Sequence, residues 1–334
     1  AVGRDCMYDN TTGTYNTAIG GGALANNTTS HYNTAVGYYA LLNSTGEANT
    51  ALGQSSLKSN TTGGASTAVG KNSLYTNTTG HSNVAIGWDA LFANTTGVFN
   101  TAIGREALQN NTTANYNTAV GYVALEANTT GANNTAVGFN ALNDNTTASY
   151  NTAFGDSALD AATTGGENTA VGFGSATSLT TGAKNTFVGN YSGALTTTGD
   201  RNVGIGNYSF GNGVTTGDYN TAVGDNSSRE LTSGSYNTYI GNEAGYHSTT
   251  SNENVAIGKH ALHANTTGSY NTAVGAEALK DHTTAANNCA LGWRALHNNT
   301  TGTQNVGIGS SVLGQNTTAN NNTAVGYIAL NANT

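Results

Sequence analysis

The chain has 334 residues, no proline, 45 glycines and charges on only 8% of its positions, with a net charge of −8. No basic patch is present that could track phosphates, which argues against nucleic acid as a partner, and no apolar run is long enough to cross a membrane, which argues against membrane contact within this segment. Hydrophobic residues make up 37% of the sequence, fewer than in an ordinary globular domain, yet they are too regularly placed for a disordered chain.

That regularity is a repeat. From Asn16 the motif Asn-Thr-Ala-(Val/Ile)-Gly, or a close variant, reopens at Asn33, Asn49, Ser66 and Asn83, and so on to Asn322. The interval is 17 residues, with one of 16 (Asn33 to Asn49) and one of 18 (Asn202 to Asn220). The unit reads N-T-A-V-G-x-x-A-L-x-x-N-T-T-G-x-x, positions 1 to 17. Ala1 falls at position 3 and Thr334 at position 13. The expectation is a single continuous array over residues 1–334, a fragment of about twenty units from a longer chain. Any secretion signal, anchor, cap or chaperone domain would lie outside it. A divergent middle section, residues 162–248, loses the position-9 Leu (Ala176, Gly193, Phe210, Ser228, Gly245) and the turn Asn. It is expected to pack differently and to be the least stable part.

Each apolar run is only two to four residues, bounded by Gly, Asn and Thr, which predicts short strands and turns rather than helices. In an extended chain positions 2 and 4 share one side and position 3 takes the other. Val84 and Ile86 of "NVAIG" are therefore expected to point into the core and Ala85 outward. Gly at position 5, present in every unit, suits a tight corner with positive φ. One unit per coil, stacked on the next, is an all-β parallel solenoid, or β-roll. Twenty coils at strand spacing would extend about 95 Å. Asn at positions 1 and 12 would stack as amide ladders. Charges occur only at positions 6, 7, 10, 11, 16 and 17 once the two odd-length units are aligned on their turns, which reads as solvated turns. Position 3 holds only Ala, Gly, Phe or Tyr. A small, uncharged outer face predicts close contact between chains, a homotrimer with position 3 on the shared axis. The rival is that Ala packs within its own chain.

"NVAIG" at 83–87 and 254–258, with the many "NTAVG" and "NTAIG" units, resembles the Asn-Ser-Val-Ala-Ile-Gly repeats of trimeric autotransporter adhesin heads of the YadA-like type. The "NTAVGYxAL…NTTG" arrays are also similar to tail-fibre and surface-fibre proteins that end in a self-cleaving chaperone domain. The resemblance covers the whole chain and implies left-handed parallel β-rolls, three chains around one axis, and binding to a host surface or matrix. One departure is the unit length: the adhesin-head repeat is typically shorter than 17 and lacks the "NTTG" segment.

Several residues stand out as candidate sites. Aromatics recur at position 6 (Tyr38, Trp88, Tyr122, Phe139, Phe173, Trp293, Tyr327) and position 17 (Tyr15, Tyr32, Tyr116, Tyr150, Tyr219, Tyr236, Tyr270). Those at position 6 would stack on sugars or a receptor, or else simply cover the corners and fill grooves between chains. The sequons at Asn10, Asn27, Asn43, Asn60, Asn77, Asn94, Asn111, Asn128, Asn145, Asn265, Asn299 and Asn316 are candidate glycan acceptors, or else a turn-and-ladder motif. The seven histidines have no Cys or carboxylate constellation around them in sequence, so no metal site is expected. Cys6 at position 8 and Cys289 at the inward-reading position 2 are expected to be small core residues. No nucleophile–base pair, paired acids or phosphate loop rises above the repeat, so neither catalysis nor a cofactor is expected.

The function these features favour is a structural extracellular rod, part of an adhesin head or tail fibre on a cell or virion surface. Its partners would be its own copies and a host-surface receptor, matrix or glycan. The alternatives are a filament-forming homopolymer without a specific ligand, and an ice- or glycan-binding solenoid. For ice the Asn-Thr-Thr turn is a poor match, since alternating Thr on a flat strand would be needed.

Overall fold

The computed structural model describes residues 1–332. The chain is all-β, a parallel β-solenoid, with no helix among the described residues. It divides into two compact units, Ala1–Glu167 and Asn168–Thr334. The first carries β1 (Thr17–Ile19), β2 (Thr34–Val36), β3 (Thr50–Leu52), β4 (Thr67–Val69), β5 (Val84–Ile86), β6 (Thr101–Ile103), β7 (Thr118–Val120), β8 (Thr135–Val137) and β9 (Thr152–Phe154). The second carries β10 (Thr169–Val171), β11 (Thr186–Val188), β12 (Val203–Ile205), β13 (Thr221–Val223), β14 (Thr238–Ile240), β15 (Val255–Ile257), β16 (Thr272–Val274), β17 (Cys289–Leu291), β18 (Val306–Ile308) and β19 (Thr323–Val325). Within each unit every strand pairs in parallel with that of the next coil, and like positions face like: Thr118 with Thr135, Ala119 with Ala136, Val120 with Val137. In the second unit Thr272 faces Cys289 and Val274 faces Leu291 in the same way.

Three residues of strand occupy positions 2 to 4, and the glycine at position 5 ends them. Gly121 has φ +144°, and a Cβ there would collide with the carbonyl of Gly138 in the next coil. The chain then reverses through linked β-turns. In the coil from Asn100, the Ala107 amide donates to Gly104 O, Gln109 to Glu106 O, and Asn111 to Leu108 O. Glu106 and Leu108 have φ of 60° and 52°, the sign required at the third residue of a type II turn. A left-handed conformation costs a non-glycine residue on the order of 1–2 kcal/mol. At position 9 the burial of a whole leucine, roughly 1.5–3 kcal/mol, offsets it.

The two faces of the strand are reversed relative to the sequence expectation. Ala85 is fully buried, whereas Val84 is half-buried and Ile86 exposed. Every described strand repeats this pattern, with position 3 inside and positions 2 and 4 outside. Alternation identifies two faces but not which is interior. Here the lumen is already filled by Leu at position 9, the small residue at position 8 and the asparagines at positions 1 and 12, so the strand has room to contribute only a methyl group. The expected trimer axis at position 3 is thereby corrected: Ala119, Ala136 and Ala153 have no exposed surface. Of the two explanations offered for small residues there, packing within the chain is the right one. Cys289 likewise sits in the outward column rather than in the core. Both cysteines are free and half-buried.

The lumen has a fixed capacity, and the divergent coils show it. Phe187 replaces Ala at position 3 and its coil has Gly193 at position 9. Gly204 at position 3 is matched by Phe210, and Tyr239 by Gly245. All three rings are buried, and Phe187 meets Phe210 edge to face with centroids 6.0 Å apart. Elsewhere the leucine slides by three positions: Ala176 is accompanied by Leu179 and Ser228 by Leu231, both fully buried. In these coils the bulk of the position-9 Leu is moved rather than lost.

Asparagine ladders form as expected. At position 12, Asn77 Nδ2 donates to Asn60 Oδ1 at 2.8 Å and to Gly80 O at 2.9 Å. At position 1, the Asn117 amide donates to Asn100 Oδ1 at 3.0 Å, and Asn117 Nδ2 to Gly131 O at 2.9 Å. The same Gly131 carbonyl accepts from Asn128 Nδ2 at 3.0 Å, so both ladders converge on position 15 and close the coil. Position 13 adds a third ladder, as where Thr112 Oγ1 donates to Thr129 O at 3.2 Å. Each such bond contributes on the order of 0.5–1.5 kcal/mol net.

Candidate functional site

The repeat turns its outward positions into columns, one residue per coil. Columns 2 and 4 form the exposed side of the strands. Column 2 is mostly Thr and column 4 entirely Val, Ile, Leu or Phe, with no charged residue in either. Phe154 is 56% exposed and Leu52 47%. Column 17 runs beside them: Tyr236, Glu253 and the column-2 residue Val255 line one shallow hollow.

The aromatics singled out from the sequence are on the surface. Tyr38, Trp88, Tyr122, Phe139, Phe173, Trp293 and Tyr327 are all exposed. Most of those with a described neighbour spend a ring face or edge on that neighbour. Arg105 lies 4.5 Å from the Trp88 ring centroid and 5.5 Å from that of Tyr122, with Lys71 on Trp88 at 5.5 Å. Tyr122 stacks on Phe139 at 5.7 Å. In column 17, Tyr15 stacks on Tyr32 at 5.2 Å and Tyr219 on Tyr236 at 5.0 Å, the planes within a few degrees. Rings stacked coil on coil present edges and hydroxyls outward, not the faces that a sugar would stack on.

The sequons divide by burial. Asn27, Asn60, Asn77, Asn94, Asn111, Asn128, Asn145, Asn265, Asn299 and Asn316 are fully buried. Their side chains form the position-12 ladder, so a glycan on Nδ2 is incompatible with the folded coil. Asn10, at the open end of the ladder, is half-buried, and Asn43 is exposed. In the 16-residue unit Ser44 takes position 12 instead, accepting from Asn60 Nδ2 at 3.0 Å. Asn43 is thus the one exposed member of the twelve.

Carboxylate contacts with histidine and arginine that the sequence reading missed line the second unit. Glu243 Oε2 meets His260 Nε2 at 3.1 Å and His263 Nε2 at 3.2 Å. Two coils on, Glu277 Oε2 meets Arg294 Nε at 3.3 Å and His297 Nε2 at 3.2 Å. The available signal was a Glu at position 7 followed one unit later by a basic residue at 7 and a His at 10. Burial, with the neighbouring His247, holds His263 below the ordinary histidine range, against the pull of Glu243. His282 stands in the position-12 ladder, where Nε2 pairs with Ala285 O at 2.8 Å, and burial lowers its pKa. In the first unit burial raises Asp160, reinforced by Asp144 and Asp156. Among the described residues no three His, Cys, Asp or Glu side chains are arranged to hold a metal ion, and no helix is long and apolar enough to cross a membrane. Compared with protein-family models and with curated proteins, the sequence matches none.

Proposed function

We propose that this chain is a structural segment of an extracellular fibre or adhesin head, held on a cell or virion surface, whose repeated coils supply shape and many identical weak contacts. The observation that supports this most is how the polar side chains are spent. Asn77, Asn94, Asn111 and their counterparts, the most regular functional groups in the sequence, are buried in bonds between coils. What recurs on the outside is a set of columns, each repeated once per coil. Repetition of that kind gains strength by avidity rather than by any single site. Receptor, matrix or glycan contact would then be distributed along the array, not concentrated in a pocket.

The test is location. An antibody raised against the repeat should label intact source cells or virions, and brief external protease should remove the label. Labelling only after permeabilisation would refute the reading.

A further inference from the structure

We propose that the outward strand face, columns 2 and 4 with column 17 beside them, is the contact through which copies of this chain assemble. The proposal rests on the structural-fibre reading and replaces position 3 as the contact between chains.

The first argument is charge. From Val2 to Val325 neither column carries a single Lys, Arg, Asp or Glu, although both are outward. Columns 13 and 14 are also uncharged, but they are the Thr-Thr of the closing turn, where a bond such as Thr112 Oγ1 to Thr129 O and the preference of turns for short polar side chains account for the choice. Columns 6, 10 and 16 are outward as well and accept charges freely, among them Arg105, Glu126 and Glu47. β-Propensity favours Val, Ile and Thr in strands, but it does not remove lysine and glutamate from every solvated strand position. A sheet face turned to water ordinarily alternates to polar residues, charged ones among them.

The second argument is area. In the first unit β1 to β9 stack at about 4.8 Å, giving a length of roughly 40 Å, and the columns from 17 to 4 span about 15 Å. That is on the order of 600 Å² in projection, and more as rough accessible surface, against the ~800 Å² per partner of a stable interface. Column 17 is uncharged from Tyr15 to Tyr150. In this unit the face is uncharged throughout and continuously apolar along column 4, with the Thr methyl groups of column 2 beside it, and patches at the upper end of the ~300–600 Å² range are often functional. Two such faces match by construction: each is a ladder of the same period, so side chains of one sheet can enter the gaps of another, as in a steric zipper. Cyclic symmetry closes the assembly.

The test is the mass of the full chain by light scattering over a wide concentration range. The expected result is a multimer. The triple variant Leu52→Lys, Ile103→Lys and Phe154→Lys should fall to the mass of one chain with unchanged circular dichroism, while Glu126→Lys should remain assembled. If the triple variant does not fold, single cysteines in a Cys6→Ser, Cys289→Ser background decide. Ile103→Cys should give interchain products with a bifunctional thiol reagent, and Glu126→Cys should not. A wild-type mass of one chain, a folded triple variant that stays assembled, or equal crosslinking from both positions would overturn the proposal. None of these outcomes bears on the surface labelling described above, so the two readings fail separately.

Discussion

Phe187 fills the space that a side chain at Gly193 would need: a Cβ on that glycine would come within 2.5 Å of the ring's Cδ1. Elsewhere the same two positions hold Ala and Leu, as at Ala119 and Leu125. The pair is a volume exchange inside one coil. Phe187→Ala should cost roughly 3–5 kcal/mol through the cavity it leaves, and Gly193→Leu should be destabilising by overpacking. Combined, they recreate the common pair and should recover most of either loss. Hydrogen exchange at the amides of the coil from Asn185 would report it. Simple addition of the two losses would show that the positions are independent.

The amide ladder should be expensive to interrupt. Asn111 Nδ2 donates to Asn94 Oδ1 at 2.9 Å and to Ala114 O at 3.2 Å, and Asn111 Oδ1 accepts from Asn128 Nδ2 at 2.9 Å. Asn111→Ala leaves buried partners on both sides unsatisfied, at about 1–3 kcal/mol for each. Two residues on, Thr113 is exposed, and Thr113→Ala should stay within ~0.5 kcal/mol of wild type. Denaturant midpoints that move equally for the two variants would contradict the burial pattern.

His282 makes stability depend on pH. Burial lowers its folded pKa below the ordinary value, so between the two pKa values the unfolded chain binds more protons than the folded one. Stability is fully present above about pH 6.5 and is lost as pH falls toward the folded pKa. His282→Asn restores the common ladder residue and removes that term. The drop in melting temperature from neutral pH to about pH 5 should be smaller in the variant. Because His263 titrates with the same sign, some acid sensitivity should survive.

Backbone sign predicts opposite outcomes for two small substitutions. Gly121→Ala places a methyl group against the Gly138 carbonyl at φ +144° and should destabilise the first unit markedly. Ala65 is exposed with φ 54°, so Ala65→Gly relieves left-handed strain of about 1–2 kcal/mol against about 0.5–1 kcal/mol of added chain entropy. A small rise in melting temperature is expected. A fall would mean that the left-handed cost at position 17 is already offset.

The period, the strand positions, the corner glycine at position 5 and the two asparagine ladders were legible in the sequence, because each is a one-dimensional property that recurs every 17 residues. What inverted was Ala85 against Val84 and Ile86. Apolarity normally marks the interior, but this lumen is narrow and Leu91 from across the coil already fills it. The clue lay in the divergent units: position 9 shrinks to Gly193 and Gly245 where position 3 grows to Phe187 and Tyr239. Such reciprocity occurs only between residues that share one space. The clustering of Glu243 with His260 and His263 was hidden because its partners are 17 and 20 residues apart, and only a known coil length brings them together. For the outward columns the sequence showed the absence of charge but assigned it to the wrong face.

Because Asn117 meets Asn100 as Asn100 meets Asn83, deletion of residues 100–116 would bring Asn117 to Asn83 with the same bonds. The ladder of the joined coils would be unbroken, and only surface contacts such as those of Arg105 with Trp88 and Tyr122 would go. Length is therefore a free variable of this protein, adjustable in whole coils because each coil bonds to the next through the same motif positions. A lineage can change how far such a segment reaches without having to invent a new contact.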